Sequence, residues 1–144
     1  MLLEIIALLA NGTFAGAAAY ITFVEHPARL ECGTLIAATE FGPSYRRATV
    51  MQASLAIVGF IGSAFLWFQQ RDPVVLVAAI LLVLVVPFTL LVIFPTNKRL
   101  LDPALERSSV EAATLLGRWG RLHAVRTFLS SLSFVLLAWA ASTH

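Results

Sequence analysis

Four long apolar runs, each closed by a cluster of polar or charged residues, divide the chain. The first extends from about Leu2 to Val24 and stops at Glu25-His26-Pro27. The second extends from about Ala48 to Phe68 and stops at Gln69-Gln70-Arg71-Asp72-Pro73. The third extends from about Val74 to Phe94 and stops at Pro95-Thr96-Asn97-Lys98-Arg99. The fourth extends from about Trp119 to Ala140. A helix that crosses a bilayer needs about 20 mostly apolar residues, and each run has that length. The pattern therefore predicts an all-α fold, a four-transmembrane-helix up-down bundle forming one integral membrane domain over residues 1–144.

The fourth helix is expected to start ahead of its apolar run. Ser108-Ser109-Val110-Glu111 resembles a capping start, with Ser108 at the N-cap and Glu111 three residues on. The expected helices thus cover about 2–24, 48–68, 74–94 and 109–140. Gly117 and Gly120 are candidate bends in the last of these, and Pro87 is a candidate kink in the third. Gly12 with Gly16, and Gly59 with Ser63, form faces of small residues suited to close helix contact, which permit a homo-oligomer without requiring one. The first run carries Glu4, no Lys or Arg and a long apolar stretch, so it reads as a retained helix and not as a cleaved signal peptide.

Composition strengthens the membrane reading. Hydrophobic residues make up 59% of the 144 and charged residues 12%, against about 45–50% and 25% in soluble domains. The net charge of +2 is too small to suggest a nucleic-acid partner. The single cysteine, Cys32, excludes an internal disulfide and a zinc-type cysteine pair. The distribution of charge says more than its sum. Arg29, Arg46 and Arg47 lie between the first two runs, and Lys98, Arg99, Arg107 and Arg118 between the last two, whereas the middle connection has only Arg71. The excess of basic residues places the first and third connections in the cytoplasm and both termini on the outer side. The expected location is a bacterial inner (plasma) membrane, crossed several times.

This topology delivers the unusual polar residues to one face of the membrane. Glu25 and His26 close the first span, Tyr45, Arg46 and Arg47 open the second, Asn97 and Arg99 close the third, and Trp119, His123 and Arg126 open the fourth. Steps of four and three residues put Trp119, His123, Arg126, Ser130 and Ser133 on one helix face. Asn11, Ala15, Ala18, Thr22 and Glu25 form a similar stripe in the first span, and Gln52, Ala56, Gly59 and Ser63 in the second. Lipid cannot satisfy such groups, so the stripes should face one another. A histidine and an arginine entering hydrocarbon are functional candidates by default. Bland roles stand beside these: interfacial placement for His26, an anchor for Trp119, snorkelling for Arg126, pairing with Arg46 or Arg47 for Glu25, and a helix cap for Asn97. His144 is given no role.

At these residues the chain resembles the anthrone oxygenase-like family of small four-helix membrane proteins, largely a domain of unknown function in bacteria. The matching pieces are Glu25-His26-Pro27, Tyr45-Arg46-Arg47, Pro87-Phe88-Thr89, Asn97-Lys98-Arg99-Leu100 and Trp119-x-x-x-His123-x-x-Arg126, in that order along almost the whole chain. Fungal members oxidise polyketide anthrones to anthraquinones with dioxygen and are generally discussed as needing no metal or flavin. The resemblance implies a monooxygenase-type oxidoreductase that takes a small hydrophobic aromatic substrate and dioxygen. In that reading His123 is the base and Arg126 the anion stabiliser, and His26 with Glu25 forms a second acid/base pair. Asn97, Trp119, Tyr45 and Thr89 would bind the substrate.

Two other readings compete with it. One is a metal or haem site built from His26, His123 and Glu25, since bundles do assemble such sites from facing helices. No Glu-x-x-His or His-x-x-x-His pair supports it. The other is a non-enzymatic scaffold or hydrophobic-ligand-binding module, with Arg126 locked to Glu25 in an ion pair. The natural substrate and any electron source are not written in the sequence.

Overall fold

The computed structural model describes residues 1–143; His144 lies outside them. Four helices follow in order: α1 (Leu2–Glu31), α2 (Thr34–Gln70), α3 (Pro73–Leu100) and α4 (Val110–Thr143). Each is long and apolar enough to cross a membrane. Among the described residues there is no strand. Helix α1 packs on α2 and α4, and α3 packs on the same two, so the bundle is square with α1 and α3 on one diagonal. The tight connections after α1 and α2 force antiparallel neighbours. Gly33, with φ of 91°, supplies the first turn. The second turns on Arg71, held left-handed at φ 56° with its amide bonded to the Trp67 carbonyl at 2.8 Å. Asp72 then caps α3 by accepting from the Val74 amide at 2.7 Å.

All four helices are longer than their apolar runs, and α2 departs most from expectation. It begins at Thr34, not near Ala48. Glu40, Arg46 and Arg47 lower the hydropathy of residues 34–47, yet Ala37, Ala38, Phe41, Tyr45 and Ala48 recur at helical spacing and pack inward. Pro43 is accommodated inside this helix at an exposed position.

The start of α4 also differs. Ser109, not Ser108, is the cap: its hydroxyl accepts from the Ala112 amide at 3.1 Å. Glu111 binds Arg99 at 2.7 Å instead of closing a capping box. Arg99 also reaches Asp102 at 2.8 Å, clasping the end of α3 to the start of α4. The Ala104 amide, helped by Arg99, holds the Asp102 carboxyl below the usual aspartate range. Helix α4 runs unbroken through Gly117 and Gly120.

Two π-helical segments interrupt the α-helical pattern, Ile21–Glu25 in α1 and Thr89–Ile93 in α3. Each is followed within two residues by a proline, Pro27 or Pro95. The amide ahead of the proline reaches back five residues, His26 to Ile21 and Phe94 to Thr89. Proline has no amide to give, so the ladder must be reset near it, and one extra residue in the turn does so. Pro87 precedes the second segment, so the expected kink resolves into this local change.

The small residues divide by partner. A Cβ on Gly62 would lie 2.9 Å from Ala7, on Gly59 2.9 Å from Leu82, and on Gly12 2.8 Å from Phe134. Gly16 has nothing within 4 Å, so the expected Gly12–Gly16 face is not a contact within this bundle. Close approach of this kind supplies the van der Waals packing that drives helix association in lipid.

Candidate functional site

The extra residue in the first π segment decides which side chains enter the bundle. Buried positions in α1 step from Ala18 to Ile21 and then by five to His26 and on to Arg29. A regular helix would have brought Glu25 inward, as the stripe Asn11, Ala15, Ala18, Thr22, Glu25 leads one to expect. Glu25 is instead half-buried at the edge, while His26 and Arg29 are buried. One added residue turns everything beyond it by about 100°.

Glu25 is engaged there through its Oε1. It accepts from the Arg29 guanidinium and from the Ser44 hydroxyl, the latter at 2.6 Å. Arg29 also pairs with Glu40 at 2.8 Å and lies 5.9 Å from the centre of the Trp119 ring. The expected partners of Glu25, Arg46 and Arg47, are exposed. Nor does Glu25 reach Arg126, so the ion pair on which the scaffold reading rested is not formed.

Trp119 is the centre of an aromatic cluster and is buried, which sets aside an interfacial anchor. Its ring lies 5.0 Å from His26, 5.3 Å edge-on from Phe41 and 4.7 Å from His123, with which it stacks at 26°. His26 fits because position 120 is glycine: a Cβ there would stand 2.6 Å from the His26 Nε2.

His123 is fixed through one ring nitrogen. Its Nδ1 bonds the Thr22 hydroxyl at 3.0 Å, and Thr22 is 2.7 Å from the Thr127 hydroxyl. Thr127 in turn bonds the Ala18 and His123 carbonyls, each at 3.1 Å. Thr22 lies inside the π segment, so the irregular backbone also supplies this anchor. With Nδ1 taken, Nε2 is the nitrogen left for chemistry.

Arg126 forms no ion pair among the described residues. One terminal nitrogen donates to the Gln52 Oε1 at 2.5 Å, and the guanidinium lies 5.1 Å from the centre of the Phe14 ring. Its buried Nε has no partner, and neither have the Gln52 Nε2 or the Asn97 Oδ1. Unpaired buried polar atoms are rare because each costs about 1–3 kcal/mol. Here three line one place.

That place is a small enclosed cavity among Ile21, Arg29, Phe41, Tyr45, Gln52, Ile93, Asn97, Trp119, His123 and Arg126. Its free space is about 30 Å³, room for one or two water molecules. Beyond Gln52 and Arg126 it adjoins a larger groove of about 340 Å³ between α2 and α3. Phe14, Ala53, Ala56, Val85, Val86, Leu90 and Phe94 give this groove apolar walls, and Tyr45, Thr49 and Thr89 also line it. The Thr89 hydroxyl is spent on the Val85 carbonyl at 2.7 Å. A third, open groove lies on the α1–α2 side, rimmed by Glu25, Glu40, Ser44 and Arg47.

Of the residues singled out from sequence, His123, Arg126, Asn97, Trp119 and Tyr45 meet at the small cavity, and Thr89 lines only the apolar groove. His26 reaches the cluster through Trp119, and Glu25 stands outside it. Arg29, Gln52, Phe41 and Thr22 belong to the site and were not among the residues singled out for it. Gln52 carried a signal, as a polar residue on an inward stripe; Phe41 lay in a stretch that read as a loop. Among the described residues no three His, Cys, Asp or Glu side chains form a group able to hold a metal ion, so His26, His123 and Glu25 do not constitute one.

The fold and the cavity define a multi-pass helical membrane protein with a polar chamber buried at one end of its bundle. The chain belongs to the anthrone oxygenase family, whose model matches residues 41–136. No curated protein and no solved structure matches the chain. The matched stretch holds Tyr45, Gln52, Asn97, Trp119, His123 and Arg126; α1, with Glu25, His26 and Arg29, precedes it.

Proposed function

We propose that the protein is a dioxygen-dependent oxidoreductase acting on a hydrophobic aromatic substrate, with its polar chamber as the reaction site. The observation that carries this reading is the set of unpaired buried polar atoms, from Arg126, Gln52 and Asn97, around a cavity that also holds an anchored histidine. Family membership supports the reaction class. The chamber would lie on the cytoplasmic side of a bacterial inner membrane, as the basic first and third connections argue.

The chemistry follows from what each group can supply. An activated methylene between aromatic rings is a weak carbon acid. His123 Nε2 takes one of its protons, and the Arg126 guanidinium stabilises the negative charge that moves through the rings onto a conjugated carbonyl oxygen. The electron-rich carbanion then reacts with dioxygen. The methylene becomes a carbonyl, losing two hydrogens and four electrons; one oxygen atom enters the carbonyl and the other leaves as water. The balance closes without an external reductant. In this reading the ring system lies in the adjoining groove, and Asn97 and Trp119, which line the chamber, hold the reacting edge that reaches into it.

The test uses purified protein in lipid nanodiscs, with anthrone as the probe and oxygen uptake and product carbonyl as the readouts. Wild-type protein should consume one dioxygen per product, and His123→Ala should turn over about 10²–10⁴-fold more slowly. Unchanged turnover in both His123→Ala and Arg126→Ala would remove the role assignment.

A further inference from the structure

We infer that the groove between α2 and α3 is a binding site entered sideways from the bilayer, and that it selects aromatic molecules carrying an ionised oxygen. The inference rests on the reading above only in taking the polar chamber as the place where such a molecule ends.

The groove's volume, about 340 Å³, is within the range of small-molecule sites, about 300–1,000 Å³. The chamber, at about 30 Å³, has room for a dioxygen, a water or the oxygen-bearing edge of a substrate, but not for a whole ring system. The two compartments therefore divide the reactants by size. The outer rim of the groove includes Val86, Leu90 and Phe94, which are 44%, 59% and 47% exposed on the surface of a membrane-spanning helix. A molecule dissolved in the bilayer meets this rim without crossing water.

The inner end is different in kind. Gln52 is 2% exposed, and its Nε2 has no partner. Among the described residues Arg126 has no carboxylate partner, its Nε is unpaired, and it lines both compartments. Together they offer fixed N–H donors and a positive charge at the closed end of an apolar slot. A neutral hydrocarbon would leave these donors unpaired, whereas a phenolate or enolate oxygen satisfies them.

The experiment measures binding without turnover. Wild-type protein in nanodiscs is titrated under nitrogen with lawsone, a hydroxynaphthoquinone ionised at neutral pH, and with its neutral methyl ether, against empty nanodiscs. Lawsone should bind saturably, and the ether about 10- to 100-fold more weakly, as for loss of a hydrogen bond to a charged group. Arg126→Met and Gln52→Leu should erase that preference. Ala53→Trp places bulk in the groove from an exposed position and should abolish binding of both probes. Equal binding of the two probes, no saturable binding of lawsone, or lawsone binding untouched by Ala53→Trp would each overturn the inference. Anionic selectivity without oxygen uptake would support the groove and count against the oxygenase reading. Oxygen uptake that Ala53→Trp leaves intact would do the reverse.

Discussion

At the end of the bundle that holds both termini, Gly62 lies so close to Ala7 that an added Cβ would stand 2.9 Å away. Leu66, Val75, Ala78, Leu137 and Ala140 close around Ala7. Just above, Asn11 donates to the Ser133 hydroxyl, and Ser133 donates to the Ala78 carbonyl. At the opposite end the same helices carry two π segments, two prolines at their exits, an enclosed cavity and several unpaired polar atoms. One end is given mainly to close packing, with the Asn11 Oδ1 and the Ser63 Oγ as its unpartnered polar atoms. The other leaves donors and acceptors unsatisfied and bends backbone regularity to bring them together. Proteins keep such costly arrangements where function needs them.

Crowding the packed end should have the largest effect on stability. Gly62→Leu should cost about 3 kcal/mol, because its new atoms meet the Ala7 backbone and not a movable side-chain tip. Chemical unfolding in micelles would register the loss, and unchanged stability would show that the helices do not need this contact. Gly120→Ala comes next, at about 1–2 kcal/mol, since its Cβ would stand 2.6 Å from the His26 ring. Adding His26→Ala to that variant should restore most of the stability. Failure of the rescue would place the strain elsewhere. Asn11→Ala should have the smallest effect, about 0.6 kcal/mol, the average for an interhelical hydrogen bond in lipid. A loss several times larger would mean that the polar layer, not the glycine contacts, holds the packed end.

The two ends also differed in how far they could be read from sequence. Apolar runs and basic connections were enough for the four helices and for the gathering of Tyr45, Asn97, Trp119, His123 and Arg126, because both depend on helical periodicity and chain direction. Residues 34–47 were not legible as helix, since Glu40, Arg46 and Arg47 mask an inward face of Ala37, Phe41 and Tyr45. The exchange of Glu25 for His26 was hidden for another reason. Periodicity assumes a constant turn, and the π segment breaks it. Pro27 was the visible signal, as Pro95 was in α3, but a proline alone does not say whether a helix ends, kinks or gains a residue. The unpaired state of Arg126 depends on where Glu25 goes, and so it followed the same hidden turn.

A polar chamber kept for function should contribute nothing net to stability. Thermal unfolding of the Gln52→Leu/Arg126→Met double variant in nanodiscs tests this most directly. Both replacements are apolar and of similar length, and they remove a mutually bonded polar pair whose Gln52 Nε2 and Arg126 Nε have no partner. The midpoint should equal or exceed that of the wild type. A drop comparable to that of Gly62→Leu would contradict this, and the chamber would then be part of what holds the bundle together.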